Sequence, residues 1–157
     1  MTDPVTEPAH VLEIERYPET LAVVRFPSGA EIPEWAESSS IFSVTATATE
    51  TSVVCAARSV PRKARHERPF TAFAVVGPLD FALVGVLVEL LTPLAEAEIS
   101  VFTVSTFDTD WILVPADAAN RAEEEWRRRG HTVRPATPVT PGGTSTPGST
   151  EQSRSTR

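Results

Sequence analysis

Residues that carry chemistry are scarce in this sequence. It holds one cysteine, three histidines and one tyrosine among 157 residues. The lone Cys55 excludes an intrachain disulfide, and the scattered histidines exclude the common zinc spacings, so neither a metal nor a cofactor is expected. There is no Gly-x-Ser-x-Gly elbow, no phosphate-binding glycine loop and no His-Glu-x-x-His pair. Cys55 sits in an apolar, strand-like run and reads as a buried structural thiol, while His66 and His131 read as solvent-facing. An enzyme is therefore not expected. No apolar stretch is long enough to span a bilayer, and MTDPVTEPAH has no basic region ahead of an apolar run. Neither a membrane partner nor a signal peptide follows, and the cytoplasm is the default location. Positive charge is short as well: the formal net charge of −7 argues against nucleic acid.

What is present suffices for a core, since 41% of the residues are apolar. It is unevenly spread. Residues 135–157 hold 17 Pro, Gly, Ser or Thr in 23 positions, with Val139 the sole core candidate, and read as disordered. Residues 1–9 read as flexible. Between them, the second half has the clearer pattern. FTAFAVV (70–76) alternates as a strand does, and GPLD follows with Asp80 as candidate N-cap. Phe81, Val84, Leu87, Val88, Leu91, Leu94 and Ala95 recur at helical spacing and predict a helix over 81–97, loosened at Pro93, with Gly85 close to a neighbouring strand. Strands are expected at 99–106 and 111–115, then a helix over 116–129 with Glu123–Glu125 ahead of Arg127–Arg129, stopped by Gly130. A short strand over 131–134 closes a β-α-β-β-α-β order, which is ferredoxin-like. In the first half, strands are expected at 11–15, 20–26, 41–48 and 52–58, with a helical candidate at 33–38. VPRKARHERP (60–69) reads as a solvated basic loop.

IFSVTATATETSVV (41–54) lies over VFTVSTFDTDWILV (101–114) at an offset of 60, as a duplicated hairpin would. The second copy carries STFDTD between its strands. Residues two apart in extended chain share a face, so Thr106, Asp108 and Asp110 could converge on one cationic guest. In the plainer alternative Asp108 caps its own turn and Asp110 is solvated. On the offset of 60, Ala46 and Ala48 stand where Thr106 and Asp108 do. Trp35, Trp111 and Trp126 read as core or interface residues, with Trp111 placed where it could flank a pocket.

GPLDFALVGVLVELLTPLAEAEISVFTVSTFDTDWILVP (77–115) resembles the ACT domain of small bacterial ACT-domain proteins, which are related to the cytosolic arginine sensors (CASTOR) of animals. AVVRFPSGAEIPEWAESSSIFSVTATATETSVVC (22–55) resembles the companion N-terminal half. The resemblance implies an α+β chain of tandem ACT-like βαββαβ modules, the first with reduced helices. Its parts would be an N-terminal ACT-like half over 10–66 and a C-terminal ACT domain over 67–134. It implies a non-catalytic, regulatory protein that binds an amino acid or similar small effector as a homodimer; a structural dimerisation module without a ligand is the alternative. Carried over residue by residue, the ligand contacts are Ser100 and Val101 at the start of the second strand of the module. Thr106, Phe107 and Asp110 follow at its end and turn, and Leu79 and Asp80 come from the loop before the helix. The sensors share pockets among four ACT domains. This chain has two, so a comparable pocket would need a second copy or stay incomplete.

Overall fold

The computed structural model describes residues 10–77, 79 and 84–137. They form a mixed α+β, ferredoxin-like fold around one seven-stranded sheet. Its strands are β1 (Glu13–Pro27), β2 (Ser43–Ala46), β3 (Glu50–Ala56), β4 (His66–Val75), β5 (Phe102–Ser105), β6 (Asp110–Pro115) and β7 (Thr132–Pro135). Two helices, α1 (Val86–Glu96) and α2 (Ala119–Arg128), lie between β4 and β5 and between β6 and β7. The second half thus has the expected order. The first half has strands and a short helical turn over Ala57–Ser59; at 33–38 only one turn closes, Ala36 N–H to Pro33 O. The candidate cap Asp80 lies outside the described residues, as do 81–83 of the expected helix.

β1 departs most from expectation. The two predicted strands at 11–15 and 20–26 are one 15-residue strand running through Pro18. A register shift against β4 between Arg16 and Thr20 absorbs the break. Proline is tolerated at such a bulge because no ladder N–H is needed there. β1 pairs with β4 on one side; on the other it pairs in parallel with β7 over 13–16 and antiparallel with β3 over 21–27. The closing strand of the second half therefore pairs with β1, which lies between it and β4. β4 begins at His66, so residues 66–69 of the expected basic loop are strand instead.

Alternation along the strands sorts the core onto two faces. Ile14, Phe73, Val75, Ile112 and Val114 face both helices and pack on Val86, Leu90, Leu94, Ala122 and Trp126. Farther along that face, Ala22, Val24, Val53 and Cys55 pack under Trp35 and Ala36. Leu21, Val54, Ala72 and Leu113 line the opposite face, with Ile41, Tyr17, Phe70, Phe102, Val104 and Trp111, and no helix among the described residues covers it. No described helix is long and apolar enough to cross a membrane.

The helix ends explain two differences in detail. Gly85 is the N-cap of α1, at φ 84°, exposed and with open space where a Cβ would be, so its role is conformational and not close packing. Because α1 starts there, its buried stripe is Val86, Leu90 and Leu94, and Val84 and Val88 are 81% and 67% exposed. Pro93 sits inside α1 without ending it. Both helices close in the same motif. In α2, Gly130 at φ 93° donates to Arg127 O at 3.0 Å and His131 N–H to Trp126 O at 3.1 Å. In α1, Glu98 takes glycine's place at φ 58°, donating to Ala95 O at 3.0 Å, and Ile99 N–H reaches Leu94 O at 2.9 Å. A glutamate in that region is strained. Glu98→Gly is expected to stabilise the fold by about 0.5–1 kcal/mol, net of glycine's greater freedom when unfolded. Urea unfolding checks it; a loss of stability would contradict this cap.

His131 is buried, contrary to the solvent-facing expectation. Its Nδ1 accepts Leu12 N–H at 3.1 Å, which holds β7 to the entry of β1. Burial pushes its pKa down and Arg129 adds to this, against the pull of Glu89.

Candidate functional site

The β5–β6 turn is held by its own threonine. Thr106 N–H donates to Thr109 O at 2.8 Å, Thr106 Oγ1 donates to the same carbonyl at 3.0 Å, and Thr109 N–H returns to Thr106 Oγ1 at 3.3 Å. The first hairpin repeats this. Thr47 N–H meets Glu50 O at 2.8 Å, and Glu50 N–H donates to Thr47 Oγ1 at 3.1 Å. Ser43 pairs with Val54 as Phe102 pairs with Leu113, and Ala46 with Thr51 as Ser105 with Asp110. The hairpins therefore superimpose at an offset of 59, one less than the gapless match of the sequences. One residue matters, because a slip of one turns every side chain to the other face. Thr47, and not Ala46, is the counterpart of Thr106, so that hydroxyl belongs to the scaffold in both copies. Asp108 is matched by Thr49.

The turn is anchored to the loop after β4. Leu79 N–H donates to Asp108 O at 2.8 Å, and Thr109 Oγ1 donates to Val75 O at 2.6 Å. Gly77 makes this approach possible: a Cβ there would lie 3.0 Å from Asp108 O and 3.1 Å from Leu79 N. Close packing of a glycine, expected at Gly85, occurs here.

Beside this junction lies an open cavity of about 330 Å³, lined by Glu15, Tyr17, Gly77, Asp108, Thr109 and Trp111 among others. Tyr17 and Trp111 stack across β4 with ring centroids 4.6 Å apart. Tyr17 comes from the bulge of β1, and Trp111 from β6. Burial and the neighbouring Glu15 carboxylate push the Tyr17 hydroxyl's pKa up. Glu15 is itself paired with Arg134 at 3.0 Å. The lining offers aromatic faces and two carboxylates, which suits a cation with an apolar body. No histidine or cysteine lines it. Among the described residues no group of three or more His, Cys, Asp or Glu is placed to hold a metal.

The predicted contacts divide into three settings. Leu79, Thr106, Phe107 and Asp108 meet at the junction, and Asp108 lines the cavity. Phe107 is 85% exposed. Asp110 shares the face of Ile112, away from Trp111, and its carboxylate accepts Ser105 Oγ at 2.7 Å. The two aspartates thus do not converge. Ser100 and Val101 lie at the other end of β5, about 20 Å off at strand rise, where Ser100 lines a separate cavity of about 600 Å³ with Phe70, Pro115 and Asp117. The reading from sequence missed Glu15 and Tyr17, because β1 belongs to the first half. The one available signal was that Tyr17 is the only tyrosine in the chain.

A second cavity, of about 220 Å³, lies on the other side of the same aromatic pair and is lined by Tyr17, Pro18, Glu19, Ser39, Ser40, Trp111, Ala136 and Thr137. Glu19 reaches in from the bulge. Its carboxylate accepts the hydroxyls of Ser38, Ser39 and Ser40, the last two at 2.6 and 2.7 Å, the N–H groups of Ser39 and Ser40, and Arg58 Nη1 at 2.7 Å. This fixes the long β1–β2 connection against the sheet.

Residues 65–124 match the family model of the ACT domain, and residues 19–63 match a model of an N-terminal domain. No curated protein matches the chain. Among solved structures, one of a protein from Agobacterium tumefaciens is 26% identical, with a TM-score of 0.76, over 82% of this chain and 96% of that one. A protein of unknown function from Vibrio cholerae, described as a possible transport protein, is 17% identical with a TM-score of 0.60, over 75% and 89%. The regulatory subunit of aspartate kinase from Thermus flavus is 8% identical with a TM-score of 0.54, over 77% and 97%, a likeness of fold.

Proposed function

We propose, from the ACT-domain match of residues 65–124, that this chain is a non-catalytic regulatory protein of the cytoplasm that binds an amino acid or similar small effector. Kinship with the arginine sensors is part of this proposal. The ligand site is the cavity of about 330 Å³ beside the junction of Gly77, Leu79 and Asp108. One observation carries the reading: Gly77 lets two loops close on each other next to an aromatic pair and two carboxylates, and in the first half Thr49 takes the place of Asp108. In this site Tyr17 and Trp111 receive the apolar part of the ligand, and Asp108 takes its ammonium. Glu15 is shared with Arg134 and contributes less.

A thermal-shift and calorimetric screen of the twenty amino acids tests this. At least one is expected to raise the melting temperature at millimolar concentration, and Asp108→Asn to weaken it about 5- to 20-fold, the worth of one charge-assisted hydrogen bond in a half-exposed site. No response from any of the twenty would remove the reading. A structural dimerisation module without a ligand is the second reading. It is supported by the helix-free face, where Phe70, Phe102, Val104 and Trp111 stay partly exposed. A dimer mass by light scattering, together with an empty screen, would favour it.

A further inference from the structure

The cavity bounded by Glu19, Ser39 and Ser40 stands at a gap in the sheet. β7 runs parallel to β1 and holds its edge as far as Arg16, and β3 takes over that edge only at Leu21. Between these points residues 17–20 have no strand beside them on that edge among the described residues. The opening has a volume of about 220 Å³ and is backed by the rings of Tyr17 and Trp111.

Its polar wall is one-sided. Glu19 is ionised against Arg58 at 2.7 Å, so a hydroxyl beside its carboxylate must donate. Ser39 and Ser40 give it their hydroxyl protons at 2.6 and 2.7 Å. A serine has one such proton, so these two oxygens have only lone pairs left to offer a guest. Glu19 itself is saturated. A carboxylate has about four acceptor positions, and six N–H and O–H groups already point at this one. Pro18, in the same wall, has no N–H. The charge is one-sided too. Arg58 is shared between Glu19 and, at 3.5 Å, Glu37, so the network keeps a net negative charge that repels an anion. A cation would find the oxygens of Glu19 already occupied.

We propose that this cavity is a second binding site, for a small uncharged aromatic molecule whose ring carries an N–H or O–H donor. The ring lies against Tyr17 and Trp111, as aromatic groups pack on one another, and the donor meets the hydroxyl oxygen of Ser39 or Ser40. Size agrees. An enclosed apolar cavity of about 150 Å³ holds one benzene, so about 220 Å³ admits a ring with a small substituent or a fused pair of rings. The cavity beside Asp108 selects differently, because it offers carboxylates to an ammonium. The two sites therefore stand or fall separately.

Titration of the full chain with indole, followed by calorimetry and by amide signals of the ¹⁵N-labelled protein, tests this. Indole is uncharged and has one N–H donor. It is expected to bind at millimolar concentration or below, and to move the Ser39 and Ser40 signals more than those of Gly77 and Thr109, which line the other cavity. 1-Methylindole lacks the donor and should bind about 2- to 10-fold more weakly, the range for one neutral hydrogen bond. Indole-3-carboxylate, an anion, should also bind more weakly than indole. In S39A/S40A the difference between indole and 1-methylindole is expected to vanish while 1-methylindole still binds, which separates loss of the acceptors from loss of the fold. The comparison of the three probes on the parent chain stands even if that variant does not fold. Failure of indole to bind at millimolar concentration would overturn the proposal. So would equal affinity for indole and 1-methylindole, binding of the carboxylate as tight as that of indole, or shifts confined to Gly77 and Thr109.

Discussion

Trp126→Ala is expected to lower the unfolding free energy by about 3–5 kcal/mol, the range for removing a large aromatic from a packed core. Small domains have about 5–15 kcal/mol in total, so little margin would remain. The argument rests on where the ring sits. Trp126 has no exposure, stands edge-on to Phe73 at 4.8 Å, and donates its indole N–H to Leu90 O at 2.9 Å. It therefore joins α2 to α1 and to the sheet at one point. Trp126→Phe keeps part of the volume and loses the hydrogen bond, and should cost about 1–2 kcal/mol. Trp35, half-buried at the margin of the first-half core, should cost less when replaced by Phe. Urea unfolding of the three variants ranks them; a loss below about 1 kcal/mol for Trp126→Ala would mean that α2 is not docked on this core.

Glu19→Ala should cost about 2–4 kcal/mol at pH 7, because it strands the hydrogen-bond donors of three serines and leaves Arg58 with only the longer pairing to Glu37. The Glu19 side chain is 5% exposed. Burial alone would raise its pKa; the donors from Ser38, Ser39, Ser40 and Arg58 outweigh this and hold the carboxyl well below the usual range. The sign follows. A depressed folded pKa stabilises above the unfolded value of about 4.3, and that stabilisation is lost as pH falls below it. The gap between parent and Glu19→Ala is therefore expected to narrow from about pH 4.5 downward. A gap independent of pH would show that the ionised carboxylate is not what holds the connection.

How far the sequence revealed this molecule depended on distance along the chain. The second half was legible because its signals are local: alternation in β4, the glutamate-to-arginine order in α2, Gly130 as a stop. Glu123 and Arg127 do pair, at 3.2 Å. The start of α1 was misplaced because an exposed left-handed Gly85 looks, in sequence, like a glycine within a helix. The strand of the first half was read as two, at 11–15 and 20–26, because a bulge leaves no pattern of its own. The repeat was found and set one residue out, since matching valines weighed more than the turn threonines that fix the register. Of the residues lining the candidate cavity, Asp108 was singled out in the sequence from its turn. Tyr17 and Glu15 were not, because they arrive from another element, and spacing within one segment cannot report what is folded against it.

The place of β1 between β7 and β4 has a consequence for how the protein is divided. Leu12 N–H and His131 Nδ1, 119 positions apart, meet where β7 joins the sheet. Excised by itself, the segment matching the ACT model would keep β4, β5 and β6 but lose both β1 and β7, leaving β4 as a bare edge, because the strand that belongs beside β4 is supplied from the other half. The two halves thus share one sheet through β1. The β1–β7 pairing is the longest-range in sequence among the described strands, the kind of contact that slows folding.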